Sequence, residues 1–210
     1  MSADIPLIVF AKAPEPGAVK TRLQPPCSAE QAAQIATILL RATLQKVVTH
    51  WPDKVILAVW PDQEHEIIQQ CAVEFSIQLV QQQAGDLGEK MHGALDQFGY
   101  PAAIIGADAP QVSAEDLGAA YRHLQKQNHV LGPSSDGGYY FIGLTDSTPS
   151  LFQDIEWGTD KVLQPTLARA KFHLLDELDD VDRWVDVVAQ QSIIPSLGDY
   201  LRQQRLIDFA

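Results

Sequence analysis

The chain has 210 residues, 46% of them hydrophobic, with 27 Asp plus Glu against 15 Lys plus Arg. That length supports one domain with a core of its own, spanning residues 1–210, and removes any need for disulfides or metal to drive folding. A formal charge of −12 argues against a surface built to track a nucleic-acid backbone. The two cysteines, Cys27 and Cys71, lack CxxC spacing, which argues against a disulfide framework or a zinc ribbon and fits a reducing, cytoplasmic setting.

The first element is the apolar run Ile5 to Ala11, closed by Pro14 and Gly17. It is too short for a signal peptide core or a membrane span, and it reads as a strand buried on both faces. After Pro25-Pro26, Ser28 with Gln31 forms a capping box, and Ile35, Ile38, Leu39, Ala42 and Val47 keep helical spacing to His50. Val55 to Trp60 predicts a second strand, Ile67-Ile68 and Cys71 a second helix, and Ile77 to Val80 a third strand. A helix from about Asp86 to Phe98, a strand Ala102 to Gly106 and a helix capped by Ser113 follow. Val130-Leu131 and Tyr139 to Leu144 read as strands around a Gly-rich turn. Thr159 is expected to cap a helix to Ala170, and Phe172 to Leu175 is the last strand. Asp182 to Ala189 and Leu197 to Leu206 close the chain as helices. This alternation predicts an α/β fold: three αβα layers around a doubly wound, mostly parallel sheet, with ligands bound beyond the strand C-terminal ends.

Three loops at those ends carry chemistry. Lys12-Ala13-Pro14-Glu15-Pro16-Gly17-Ala18-Val19-Lys20-Thr21-Arg22 concentrates glycine, two prolines and three cations. Gly17 lets backbone N–H groups approach an anion, and Lys20 and Arg22 suit phosphate oxygens; the plain alternative is a solvated turn with salt bridges. The segment is no Walker loop, because Val19 precedes Lys20. Asp108, in Gly106-Ala107-Asp108-Ala109-Pro110, places one carboxylate at the sheet rim, where a Mg²⁺ or Mn²⁺ ion needs one or two carboxylates plus substrate phosphates, or where it caps a turn. Asp136-Gly137-Gly138-Tyr139-Tyr140 offers bare backbone to a ligand, or forms a hairpin turn. Gly85-Asp86-Leu87-Gly88 opens a helix and has the composition to hold a base or ribose. Trp157-Gly158-Thr159 and the acidic run Asp179-Asp180-Val181-Asp182 complete the set. There is no G-x-S-x-G elbow and no H-E-x-x-H pair, so hydrolase triads and zinc proteases lack support.

Taken together, Phe10 to Leu23, Gly85 to Gly88, Gly106 to Pro110, Asp136 to Tyr140 and Trp157 to Thr159 resemble the bacterial selenodomain-associated transferase family. That family is similar to 2-phospho-lactate guanylyltransferase and to nucleotide-diphospho-sugar transferases with the glycosyltransferase-A-type fold. The resemblance implies a nucleotide site at Lys12, Gly17, Lys20, Arg22, Gly85, Asp86 and Gly88. It implies catalytic roles for Lys20, Arg22 and Asp108, and a divalent metal on Asp108 and Asp182. It also implies an acceptor side at Asp136, Gly137, Gly138, Trp157 and Thr159. Lys90, Ala107, Ala109, Ser135, Gly158 and Arg183-Trp184 depart from its usual residues.

The expected activity is Mg²⁺-dependent nucleotidyl transfer from a nucleoside triphosphate to a small phosphorylated or hydroxylated acceptor, with release of pyrophosphate. Glycosyl transfer from a nucleotide sugar, and nucleotide or sugar-phosphate binding without turnover, are the alternatives; a homodimer is compatible with either. No D-x-D pair precedes Asp108, since Gly106 stands there, and this favours nucleotidyl transfer.

Overall fold

Seven strands form one sheet in the order β3-β2-β1-β4-β6-β5-β7 among residues 4–207, which the computed structural model describes. In chain order the elements are β1 (Leu7–Lys12), α1 (Ala29–His50), β2 (Val55–Trp60), α2 (Glu66–Glu74), β3 (Gln78–Gln81), α3 (Leu87–Phe98), β4 (Ala102–Gly106) and α4 (Ala114–Gln125). β5 (His129–Pro133), β6 (Tyr139–Leu144), α5 (Leu163–Arg169), β7 (Phe172–Leu174), α6 (Trp184–Gln190) and α7 (Pro195–Gln203) follow. All neighbours pair in parallel except β6, which runs antiparallel to both β4 and β5. The fold is the α/β, mostly parallel sheet that the alternating elements predict.

Side-chain alternation on the strands sorts the core into two layers. Leu7, Val9, Leu57 and Ile105 face α1, α2 and α4, packing on Leu44, Ile68 and Leu117. Ile8, Ile56 and Ile104 face the opposite way, onto Met91 and Leu95 of α3 and onto Leu151 and Phe152. Burial on both faces explains why these strands read as continuous apolar runs. Each fully buried Leu or Ile contributes about 1.5–3 kcal/mol. A third core lies apart from the sheet, where Ile35 and Leu39 of the N-terminal half of α1 meet Val187, Leu197 and Leu201 of α6 and α7.

Capping boxes start α1 at Ser28 and Gln31, α3 at Asp86 and Glu89, and α4 at Ser113 and Asp116. The expected cap at Thr159 is not formed. Its Oγ1 donates to the Glu156 carbonyl (2.7 Å) and accepts from Lys161 N (3.2 Å), tightening a turn, and α5 starts only after Val162. Likewise α6 starts two residues beyond Asp182, because Asp186 Oδ2 accepts from the Arg183 amide (2.7 Å) and fixes the first turn there. No helix among the described residues is long and apolar enough to cross a membrane.

Candidate active site

The C-terminal ends of β1 and β4 lie side by side, with Phe10 opposite Gly106. The chain leaving β1 runs through the Pro14–Gly17 turn to Lys20, whose backbone is left-handed (φ 46°). This region is costly for a non-glycine residue and is held here by side-chain contacts. Lys20 Nζ donates to Asp108 Oδ2 at 2.6 Å and lies 3.8 Å from Asp182 Oδ1. Arg22 Nη1 donates to Asp182 Oδ2 at 2.7 Å. Residues far apart in sequence are thus tied into one charged cluster at the sheet rim.

Burial alone would lower the Lys20 ammonium pKa; the Asp108 carboxylate, with Asp180 and Asp182 beyond it, outweighs that and holds it above the ordinary lysine value. Burial works to raise the Asp108 carboxyl, and the Lys20 ammonium outweighs it, so this group sits below the usual carboxylate range. Asp180 is the opposite case. Burial and then repulsion from Asp108, with smaller contributions from Asp182 and Asp136, push it up to about 6 despite Lys20. The cluster holds more negative charge than its cations neutralise.

A cleft of about 430 Å³ opens beside this cluster. Part of its lining is acidic: Asp108, Asp136, Asp179, Asp180 and Asp182, with Arg22 the one cation among the described residues that line it. Another part is apolar, made by Leu87 and Met91 of α3, Ile104 and Ile142 of the sheet, and Val162, Tyr139 and Trp157. Tyr139 and Trp157 pack edge to face at 6.5 Å between ring centroids. Trp157 Nε1 is buried without a hydrogen-bond partner, an arrangement that costs about 1–3 kcal/mol until a partner is found. The indole fits only because residue 88 has no side chain: a Cβ there would lie 2.7 Å from Trp157 Cζ2 and 2.8 Å from the Phe152 carbonyl oxygen.

The Gly-rich segment is both the hairpin turn and part of the cleft. Ser134 N donates to the Gly138 carbonyl (3.1 Å), while Asp136 Oδ1 accepts from Ser134 Oγ (2.5 Å) and Gly138 N (2.9 Å). Gly137 has φ 88°, and a side chain there would strike the Asp160 backbone. The antiparallel direction of β6 brings this turn to the same end of the sheet as the C-termini of β1 and β4.

On the far side of Lys20 a second hollow of about 240 Å³ is lined by Lys12, Pro14, Ala18, Val19 and Lys20. Lys12 Nζ donates to the Ala18 carbonyl at 2.7 Å. Lys12 pairs in register with Trp60 of β2, and Lys90 Nζ sits over the Trp60 ring at 3.9 Å. Burial and the neighbouring Lys12 charge lower the Lys90 pKa, against a smaller opposing effect of Asp86. Two cations that repel one another beside an aromatic face suit an anionic ligand.

Of the residues the sequence singles out, Arg22, Asp108, Asp136, Gly138, Trp157, Thr159 and Asp182 line the larger cleft. Lys12 and Lys20 line the smaller hollow, where Asp108 and Asp182 also reach. Gly17, Gly85, Asp86, Gly88 and Gly137 line neither: Asp86 caps α3 through Glu89, and Gly88 and Gly137 make room for neighbours. The sequence reading singles out the acidic run but selects Asp182 within it and not Asp180, because an acidic run does not reveal which carboxylate turns inward. It also missed the Lys90–Trp60 contact, which joins positions 30 residues apart.

Among the described residues no group of three His, Cys, Asp or Glu side chains forms a protein-only metal cage. The donor set nevertheless suits a hard divalent ion. Asp108 and Asp182 converge on one cation, the Lys20 ammonium, with Asp180 close enough to raise its own pKa, and Mg²⁺ takes one or two carboxylates with water and phosphate oxygens.

A family profile described as "Uncharacterized protein conserved in bacteria (DUF2064)" matches residues 43–159. Among curated proteins none matches. A nucleotide-diphospho-sugar transferase-like protein from Desulfovibrio desulfuricans G20 is 28% identical, with a TM-score of 0.82 over 96% of this chain and 95% of that one. Rv0371c of Mycobacterium tuberculosis H37Rv, crystallised in complex with manganese, is 16% identical, with a TM-score of 0.55 over 92% of this chain and 100% of that one. A cytidylyltransferase from Leptospira borgpetersenii is 12% identical, with a TM-score of 0.56 over 96% of this chain and 95% of that one. The last two share the fold.

Proposed function

The chain belongs to the DUF2064 family of proteins conserved in bacteria, and from that premise and the geometry of the cleft we propose that it is a nucleotide-using transferase that moves a nucleotidyl group from a nucleoside triphosphate to a small acceptor. The observation that carries this reading is the Lys20 ammonium spanning Asp108 and Asp182 at the joined ends of β1 and β4, with Arg22 beside it. The whole chain acts as one domain in this reading. The cationic side, with Lys12, Lys20 and Lys90, receives the nucleotide; the larger cleft, with Asp136, Gly138, Trp157 and Thr159, receives the acceptor.

In the reaction an acceptor oxygen attacks the α-phosphorus, the new P–O bond forms as the bond to pyrophosphate breaks, and the electron pair leaves on pyrophosphate. The proton of a hydroxyl acceptor passes to a cleft carboxylate, and Asp180, whose proton affinity burial and the neighbouring Asp108 raise, is the candidate. Lys20 and Arg22 lie where negative charge grows on the phosphate oxygens, and fixed charges of this kind supply the largest share of such catalysis. Asp108 and Asp182 would hold a Mg²⁺ or Mn²⁺ ion together with phosphate oxygens and water, and the ion would neutralise phosphate charge when bound. Manganese in the Rv0371c crystal supports a divalent ion in this fold.

Pyrophosphate release from a panel of nucleoside triphosphates with hydroxylated and phosphorylated acceptors, with and without Mg²⁺ or Mn²⁺, tests the proposal. Metal-dependent release that Asp108→Asn lowers about a hundredfold or more supports it; nucleoside diphosphate release from nucleotide sugars would replace it with glycosyl transfer. That second reading draws on the name of the Desulfovibrio relative.

A further inference from the structure

Beyond the rim where Lys20 and Arg22 meet the nucleotide, the larger cleft offers nothing to a second phosphate carried by the acceptor. Among the described residues five carboxylates and a single guanidinium line it, and that guanidinium, Arg22, is paired with Asp182 and in the transferase reading serves the nucleotide. A cation held by Asp108 and Asp182 would still leave Asp136, Asp179 and Asp180 in the lining. Asp136 and Asp179 are tied into local hydrogen bonds, Asp136 with Ser134 and Gly138 and Asp179 with Ser135 (2.9 Å), so their positions are set. The nearby Lys161 is no substitute: it lies outside the lining and its Nζ is 3.5 Å from Glu156. A dianionic phosphate here would meet like charge in a partly desolvated space, an unfavourable placement.

The rest of the lining includes an apolar set, Met91, Ile104 and Ile142 with Tyr139 and Trp157 packed against the same core cluster, and Val162. Apolar walls with a few fixed polar groups are the pattern of sites that grip a carbon skeleton and orient one functional group. Two buried polar atoms in this part of the lining lack a partner, the Tyr139 hydroxyl and Trp157 Nε1, and neither belongs to a charged side chain.

We propose that the acceptor is an uncharged, hydroxyl-bearing molecule with an apolar body, and not a phosphorylated one; this rests on the transferase reading above and narrows its acceptor. The apolar body lies along Met91, Ile142 and Trp157, and the hydroxyl faces the carboxylates, which accept its hydrogen bond and its proton. The oxygen then bonds to the transferred group as the nucleotide's leaving group departs with the bonding electrons.

A matched pair of probes tests this: 1,4-benzenedimethanol and its monophosphate, each retaining a free hydroxyl. Binding of each to the full chain is followed by ligand-observed NMR in the presence of Mg²⁺ and a nucleoside triphosphate, whose own binding is measured first by thermal shift. The diol is expected to bind at least about tenfold more tightly than the monophosphate, about 1.4 kcal/mol. Tighter binding of the monophosphate, or no binding of either probe at millimolar concentration while the nucleotide binds, overturns the inference. Absence of nucleotide binding by every triphosphate would instead remove the transferase reading. In Asp179→Lys, an exposed change, the preference for the diol should fall at least about threefold; an unchanged preference would show that the acidic wall does not select.

Discussion

The two sides of the Lys20–Asp108 pair differ in how their charge is balanced. On the β1–β2 side Lys90 Nζ sits over the Trp60 ring with Lys12 close enough to lower its pKa, and the hollow there holds two lysines against two aspartates. On the β4–β6 side five carboxylates face an apolar wall, an excess of negative charge. Under the proposed transfer the two substrates differ in charge: an anionic donor on one side, an uncharged acceptor on the other. Lys20 stands at the border, neutralised by one side and available to the other.

Removing the border should have the largest effect. Lys20→Ala is expected to lower pyrophosphate formation about a hundredfold to a thousandfold, and retention of full rate would separate the pair from catalysis. The same variant should lose about 1–3 kcal/mol of stability near neutral pH, less than for a fully buried pair because the Asp108 side chain is 44% exposed. Asp108 has its pKa lowered in the fold, so the stabilisation it draws from Lys20 is present above its unfolded value near 4 and fades as pH falls through the folded value. Urea titrations at pH 7 and pH 3 check this, and an equal deficit at both would refute the assignment.

Disturbing the apolar wall comes next. Gly88→Val pushes a side chain into Trp157 and should cost about 2–3 kcal/mol in thermal or urea unfolding, because neither the indole nor the Phe152 carbonyl can withdraw freely. A neutral result would mean that the 152–160 segment moves aside. Thermal melts of Asp180→Asn probe the acidic side. Asp180 titrates near 6 in the fold and near 4 unfolded, so ionising it costs stability that is progressively lost as pH rises from about 4 to 6. The variant should melt higher at pH 7.5, by about 1–2 kcal/mol after solvent screening, and match the parent below pH 4. A gain that persists at pH 4 would point to packing instead of charge. The smallest effect belongs to Lys90→Gln, expected to weaken nucleotide affinity about threefold to tenfold in low-salt calorimetry and less at high salt.

Much of the scaffold was legible because its signals are local. The strands announced themselves as apolar runs buried on both faces, and Ser28 and Ser113 form the capping boxes or caps their positions imply. The direction of β6 was not legible, since Tyr139–Leu144 has the same apolar character whichever way it runs; only pairing with Ala102–Ile105 decides it. In the site, Lys20, Arg22, Asp108 and Asp182 stood out as charges at strand ends, and they do meet. Gly88 looked like a ligand-facing glycine and instead accommodates an indole from a segment nearly 70 residues downstream, a packing reason that no local pattern carries. Thr159 failed as a helix cap because the Glu156 carbonyl took its hydroxyl first.

The mooring of the acidic segment has a consequence for how the molecule comes apart. Asp180 and Asp182 precede α6, and α6 and α7, of seven and nine residues, are held on α1 by a core separate from the sheet. Short helical units of this size open at lower free energy than a seven-stranded sheet, as backbone amide exchange reports in other folds. Warming is therefore expected to loosen α6 and α7, and with them Asp182 from Lys20 and Arg22, while the strands stay paired and Leu178 stays bonded to Pro133 and Ser135; amide exchange faster in 184–203 than in β1 and β4 checks this.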